Sequence, residues 1–355
     1  MHLKSALILG GAGFIGTHLA RQLSDLGTLR RIISLDIRQP ASPVPRVIYN
    51  THDIRRPLHE TIDGHFDVVF NLAAVHRTPG HAADEYYETN VAGATNSVAF
   101  CERNGIDTLL FTSSISVYGP SEKALDESSP LLPNSAYGRS KKLAEEIHLA
   151  WLERAPGARR LRIVRPAVVF GEGENGNYTR LARLLRQGWF AYPGRKNTLK
   201  AGGYVKDLVR SMLFALDRRD PLYLYNFADR HCPTAEEICE AFSAYGMRRP
   251  IGVLPLPLMM AGALVFEGLN AVGLKNTISR ARINKLVHST NVVPRRLMAD
   301  SFPFAYDLRS AISDWLATDE TIRPAGTSAR AMPKPPAPVH SSPTELVPQT
   351  LRASG

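Results

Sequence analysis

Cysteine is scarce in this chain of 355 residues. Cys101, Cys232 and Cys239 are the three present. They are too few for a disulfide framework and have no metal-ligand spacing, so they are expected to be small buried apolar residues in a reducing compartment, with no metal site. Long apolar runs are also lacking. The stretch Leu258–Phe266 is interrupted by Glu267 and follows Pro255 and Pro257. It falls short of the roughly 20 apolar residues that a bilayer span needs, which excludes an integral membrane segment. A buried or lobe-covering helix is the expectation there, with an interfacial membrane contact as the alternative. Acidic residues are in deficit, 33 Asp and Glu against 43 Lys and Arg, for a net charge of +10. The excess is scattered in pairs such as Arg55-Arg56, Arg159-Arg160, Arg218-Arg219 and Arg248-Arg249. No basic stripe interleaved with aromatics is present, so nucleic acid is not the expected partner, whereas a positive field draws anionic substrates. A glycine turn at residue 10 leaves no room for a secretory leader before the first strand, and a cytoplasmic location is expected. The chain shows no internal repeat.

What is present begins with Tyr137-Gly-Arg-Ser-Lys141. Positions i and i+4 share a helix face, so the phenol and the ammonium point together. A fixed cation beside a phenol favours the phenolate, and a lowered pKa suits Tyr137 to acid–base work on an alcohol or ketone. The amino terminus supplies a second signal. An apolar run, Ser5–Leu9, leads into Gly10-Gly-Ala-Gly13-Phe14-Ile15-Gly16 and then a helical pattern. Strand, glycine turn and helix together form a pyrophosphate cradle at a helix N-terminus. A second strand, Arg31–Leu35, ends in Asp36. An acid about 20 residues after the glycines hydrogen-bonds a ribose 2′-OH and repels a 2′-phosphate, which favours NAD over NADP; Arg38 nearby softens that preference.

Further landmarks follow in order: His52-Asp53-Ile54, Asn71-Leu72-Ala73-Ala74, Asn90-Val-Ala-Gly93, Thr112-Ser-Ser114-Ile-Ser-Val-Tyr-Gly119, Val164-Arg-Pro166 and Tyr204-Val-Lys-Asp207. With Gly10, Gly13 and Gly16 spaced G-x-x-G-x-x-G, residues 5–315 resemble the extended short-chain dehydrogenase/reductase superfamily, in its nucleotide-sugar epimerase/dehydratase branch. The resemblance implies that Ser114, Tyr137 and Lys141 are catalytic. It implies cofactor contacts from Gly10, Gly13, Phe14, Ile15, Gly16, Asp36, Asp53, Ile54, Leu72, Ala73, Ala74, Asn90, Tyr137, Lys141 and Pro166. Ser113 and Ser116 are ordinary strand-end serines on this reading. Ser114, His76, Asn177, Lys200 and Arg282 are the substrate candidates, although a surface-loop role suits His76 as well. The family's dimers would pair residues 84–104 and 135–153 in a four-helix contact, making a homodimer.

The neighbours of Ser114 narrow the reaction. Where the 4,6-dehydratases of this family carry Asp-Glu, and the decarboxylases a Glu, this chain has Ile115 and Ser116. What remains is reversible oxidation at one carbon: a nucleotide-sugar 4-epimerase with NAD, acting on a UDP-hexose or an amino or deoxy sugar. The alternatives are an NAD(P)-dependent 4-ketoreductase or dehydrogenase of a nucleotide sugar or hydroxysteroid-like alcohol, and a non-catalytic NAD-sensing scaffold. Two departures bear on the substrate. Val168 replaces the family's diphosphate-contacting Asn, and Lys200 replaces an Arg, keeping the charge without its bidentate geometry.

The fold expected is α/β, a Rossmann-type doubly wound parallel sheet over residues 1–171. A smaller, mostly helical substrate lobe occupies 172–318, with helices near 176–188, 205–217, 234–245 and 257–272 and a return to the sheet near 222–228. A disordered tail, rich in Pro, Ser, Ala and Thr, is expected over 319–355.

Overall fold

Strands buried on both faces need no alternation of polar and apolar residues, and the short apolar runs of this chain behave that way. The computed structural model describes residues 3–77, 80–271 and 280–324. Strands β1 (Ser5–Leu9), β2 (Arg31–Asp36), β3 (Val47–Thr51), β4 (Val68–Asn71) and β5 (Thr108–Thr112) build the first part of the main sheet. After β6 (Ser121–Leu125) come β7 (Arg160–Pro166), β8 (Val168–Phe170), β9 (Tyr192–Pro193), β10 (Gly202–Tyr204) and β11 (Leu222–Phe227). The chain's last strands are β12 (Val253–Leu254) and β13 (Thr290–Val292). Seven strands form one sheet in the order β11-β7-β5-β4-β1-β2-β3. Every pairing is parallel, with Ala6 opposite both Ile32 and Val68, and Phe227 opposite Pro166. The order reverses between β1 and β4, and the crevice at the carboxyl ends of strands beside such a reversal is where ligands bind in these sheets.

β3 is an edge strand whose signal is weak. Val47-Ile-Tyr is followed by Asn50 and Thr51, none of the five residues is buried, and Ile48 is exposed.

Helices cover both faces. Helix α1 (Phe14–Asp25) lies on one face, where Leu19 and Leu23 share a core with Leu208 and Met212. On the other, α2 (Ala83–Arg103) and α3 (Ala136–Glu153) bury Val98, Phe100, Ala144 and Trp151. Beyond β8 come α4 (Asn177–Gln187), α5 (Val205–Leu216), α6 (Ala235–Ser243), α7 (Leu256–Ala271), α8 (Arg280–Val287), α9 (Arg295–Ala299) and α10 (Leu308–Thr318). Met212 places α5 on the main sheet. A separate core in the lobe gathers Phe170, Tyr178, Tyr204, Phe242 and Trp315. Residues 319–324, which composition assigns to the tail, pack there too. Ile322 is fully buried, and Arg323 donates to the carbonyls of Leu316 and Ala317. The rest of the expected tail, 325–355, lies outside the described residues. No helix among the described residues is long and apolar enough to cross a membrane.

Candidate active site

The glycine turn sits at the sheet's reversal point because nothing larger fits. Gly10 has φ +84°, and a Cβ there would stand 2.7 Å from the backbone nitrogen of Ala73 after β4. A Cβ on Gly16 would collide with the Gly10 carbonyl, so the turn can close onto α1 only without one. No side chain caps α1, and its first turn, from Phe14 and Ile15, carries no acid. Those backbone N–H groups and the helix dipole favour an anion. Asp36, at the end of β2, accepts the Ala12 N–H at 3.1 Å and the Arg38 N–H at 3.3 Å, which fixes its carboxylate beside the turn. Cradle and acid fit a dinucleotide with a free 2′-hydroxyl.

Ser114 and Tyr137 meet across two elements. Ser114 caps the short turn Ile115–Val117, accepting the Ser116 N–H at 3.1 Å and donating to Ser116 Oγ at 3.2 Å, and it stands beside the Tyr137 phenol. Ser135 caps α3 by accepting the Gly138 N–H at 3.1 Å, so Tyr137 lies in the first turn and Lys141 one turn later. Lys141 is 2% exposed, its Nζ 4.5 Å from the centre of the Phe111 ring. One sequence-based expectation is reversed here. Burial pushes Tyr137 up to about 12 rather than down, while the neighbouring Ser114 hydroxyl opposes the rise. Burial likewise pulls Lys141 down to about 7, with Glu145 opposing. Removing water disfavours both charged forms at once, and in the protein alone that effect outweighs any mutual stabilisation of phenolate and ammonium.

Sequence reasoning passed over the supports behind this pair. Glu145 and His148 continue the spacing of 137 and 141 along the inner face of α3. Glu145 takes a bidentate ion pair from Arg165 on β7, at 2.9 and 2.6 Å, with both side chains buried. Arg165 also donates to the Tyr118 hydroxyl at 2.8 Å, and Tyr118 donates to Asn226 on β11 at 2.8 Å. His148 stacks on Phe111, bonds the Ala144 carbonyl and is pulled down to about 4 by burial. Thr112 Oγ1 and Ser113 Oγ are buried at the end of β5 without a hydrogen-bond partner. The signal for Glu145 and His148 was the helical spacing; for Ser113 there was none beyond its place at a strand end.

The other site candidates divide by what already holds them. Leu72, Ala73 and Ala74 follow β4 at the glycine turn, and Pro166 ends β7. Asn90 is buried and committed: it accepts the Val75 N–H at 2.9 Å and donates to the Val75 carbonyl and to Ser140 Oγ. It thereby pins the loop after β4 to α3. Ile54 packs its side chain against Gly93 of α2, and Asp53 holds Arg55, which lowers the acid's pKa. His76, on the loop after β4, keeps much of its surface in solvent while its ring is crowded by protein, and that desolvation, then Arg77 and Lys141, lower its pKa against a raising bond with Ala74. Asn177 is exposed at the start of α4. Lys200 donates to the carbonyls of Lys285 and His288, at 2.8 and 2.7 Å, so its ammonium serves the end of α8. The side chain of Arg282, on α8, lies outside the described residues. No group of three or more His, Cys, Asp or Glu among the described residues is arranged to hold a metal ion.

Comparison with known proteins agrees with this geometry. The family model for the NAD dependent epimerase/dehydratase family matches residues 6–227. Among curated proteins, the N-acetyl-alpha-D-glucosaminyl-diphospho-ditrans,octacis-undecaprenol 4-epimerase of Escherichia coli O157:H7 is 32% identical over 314 residues, covering 87% of this chain and 93% of that protein. Among solved structures, MoeE5 in complex with UDP-glucuronic acid and NAD has a TM-score of 0.68 at 21% identity, over 90% of this chain and 98% of that one. The UDP-glucose 4-epimerase of Thermus thermophilus, in complex with NAD, has a TM-score of 0.66 at 20% identity, over 88% and 98%. These two structural likenesses speak to the fold. The family match and the curated relative carry the assignment: the chain belongs to the NAD dependent epimerase/dehydratase family and is an NAD-dependent enzyme of the short-chain dehydrogenase/reductase type.

Proposed function

We propose that this enzyme inverts C4 of a hexose or hexosamine carried on a diphosphate, through a 4-keto sugar. The observation that carries this reading is Ser114 set beside Tyr137, with Lys141 buried one helical turn on, and with Ile115 and Ser116 where extra carboxylates would support elimination. Gly10, Gly13, Gly16 and Asp36 would hold NAD, with Phe14 and Ile15 offering the helix N-terminus. When bound, NAD supplies the two-electron acceptor and donor for C4. The protein supplies the proton chemistry. Tyr137, as phenolate, takes the proton of the C4 hydroxyl, and after the keto sugar has turned over it returns that proton to the C4 oxygen. Ser114 donates to the same oxygen while charge develops there. Lys141, as ammonium, stabilises the phenolate. Since Tyr137 alone is pushed up to about 12, the ammonium form of Lys141 is the one that works.

The diphosphate carrier is a nucleotide in the solved relatives named above, and a UDP-hexose or UDP-hexosamine is the first substrate class we assign. A polyprenyl carrier, as in the name of the E. coli relative, is a second reading. It is supported by the 32% identity with that relative over 87% of this chain. We also assign a homodimer through the outer faces of α2 and α3; a monomer at micromolar concentration in analytical sedimentation would contradict it. The chemistry is tested by denaturing the purified protein and identifying released nucleotide by mass spectrometry. Near-stoichiometric NAD supports a self-recycling epimerase. An empty protein that consumes NAD(P)H against keto sugars would make it a reductase.

A further inference from the structure

Helix α7 is apolar where a soluble helix is polar. Its inner side carries Leu256, Met259, Met260, Ala263 and Glu267, and Ala263 is 1% exposed. Glu267 is paired with Arg280 of α8 at 2.8 Å. The outer side carries Leu258, Ala261, Gly262, Leu264, Val265 and Phe266, all exposed and none charged. Ile251, Val253 and Leu254, in the segment just before α7, are exposed as well. Exposed apolar patches of this kind mark interaction surfaces. Along this stretch of sequence the charge has one sign: between residues 248 and 290 stand Arg248, Arg249, Lys275, Arg280, Arg282 and Lys285 against the single carboxylate Glu267. At 1.5 Å per residue a helix of this length runs about 24 Å, short of the roughly 30 Å of a hydrocarbon core, so it suits lying in an interface rather than crossing one.

We propose that the outer face of α7 docks on an anionic lipid bilayer, its apolar side chains entering the headgroup–acyl boundary and the flanking cations meeting lipid phosphates. Lys200 donates to the carbonyls at the end of α8. The docking hairpin is therefore continuous with the lobe that carries the substrate candidates. Docking brings that lobe to the level of lipid headgroups, where a sugar on a polyprenyl diphosphate is presented. This last step rests on the second reading of the proposed function; the docking itself does not.

The test is flotation of the purified full-length chain with phosphatidylcholine vesicles, with and without phosphatidylglycerol, and with no sugar substrate added. The chain is expected to float with the anionic vesicles and to be weakened by salt at about 0.5 M. A Leu264→Asp/Val265→Asp variant is expected to lose at least about tenfold in partitioning, with an unchanged far-UV spectrum and melting temperature. A wild-type chain that stays at the bottom overturns the proposal, as does a variant that floats equally well. A wild type that fails to float but sediments as a dimer, with a monomeric variant, assigns the face to a second copy and also overturns it. A chain that floats yet inverts no C4 refutes the chemistry alone, and one that inverts C4 without floating refutes the docking alone.

Discussion

On α3 the side chains at 137, 141, 145 and 148 fall on one face, and that face points inward although it carries a phenol, an ammonium, a carboxylate and an imidazole. On α7 the side chains at 258, 264 and 265 point outward although they are Leu, Leu and Val. Both helices invert the ordinary amphipathic arrangement. On α3 the inversion is answered within the chain. Arg165 pairs with Glu145, Phe111 lies against both Lys141 and His148, and Ser114 stands beside Tyr137. On α7 the one carboxylate, half-buried Glu267, is answered by Arg280, while Leu258 stays 64% and Val265 63% exposed. Buried polar groups held by named partners mark chemistry, because their cost is borne only where they are paired. Apolar groups left in water mark a surface whose partner is another body.

The comparison is broken most severely at its catalytic end. Tyr137→Phe should lower turnover by about 10^2- to 10^4-fold, the span of a general acid–base group, with the melting temperature nearly unchanged. Turnover close to wild type would mean that another group moves the proton. Next comes the support. Glu145→Gln leaves Arg165 buried without its counter-charge, and breaking a buried pair from one side costs about 3–5 kcal/mol. Urea denaturation of this variant and of Glu145→Leu/Arg165→Met should show the double variant as the more stable of the two.

The third effect is on pH. His148 is neutral when folded, its pKa pulled from 6.5 to about 4 by burial. Below pH 6.5 the unfolded chain binds a proton that the folded chain refuses. This stabilisation is therefore complete above 6.5 and is lost as pH falls from 6.5 toward 4, on the order of 3 kcal/mol at most. Stability measured across that window should fall less steeply in His148→Gln than in the wild type; equal slopes would place the titrating group elsewhere. Smallest of all, Leu264→Ser/Val265→Ser on α7 should change folding stability by about 0.5 kcal/mol or less, as surface substitutions do. A large loss on thermal melting would mean that the outer face is packed in solution.

The parts of the fold legible in the sequence are those whose signal is local. Fully buried runs such as Val68–Phe70 and Leu109–Phe111 read directly as central strands, and the glycines with Asp36 read as a cradle. Ser114, Tyr137 and Lys141 were legible because spacing and motif order agree. β3 was not, since its Val47-Ile-Tyr run gives way at once to Asn50 and Thr51 and lies on a sheet edge where no residue of the strand is buried. Arg165 was placed at a cofactor-side turn by its motif, and its true partner, Glu145, lies 20 residues away on another element, a pairing that only the packed sheet creates. Asn90 and Lys200 were likewise legible as polar residues in the right order. Whether their donors remain available for a ligand depends on Val75, Ser140 and the end of α8, which no local pattern encodes.

If Ser114, Tyr137 and Lys141 invert C4 with NAD retained by the protein, as proposed, the enzyme needs no added cofactor. Incubating it without one, with UDP-N-acetylglucosamine, UDP-glucose and a polyprenyl-diphosphate N-acetylglucosamine, and reading C4 configuration by NMR, puts this to the test. At least one of them should convert to an equilibrium mixture of C4 epimers, and the conversion should be lost in Tyr137→Phe. Unchanged configuration in all three, from a protein that releases NAD on denaturation, would contradict the proposal.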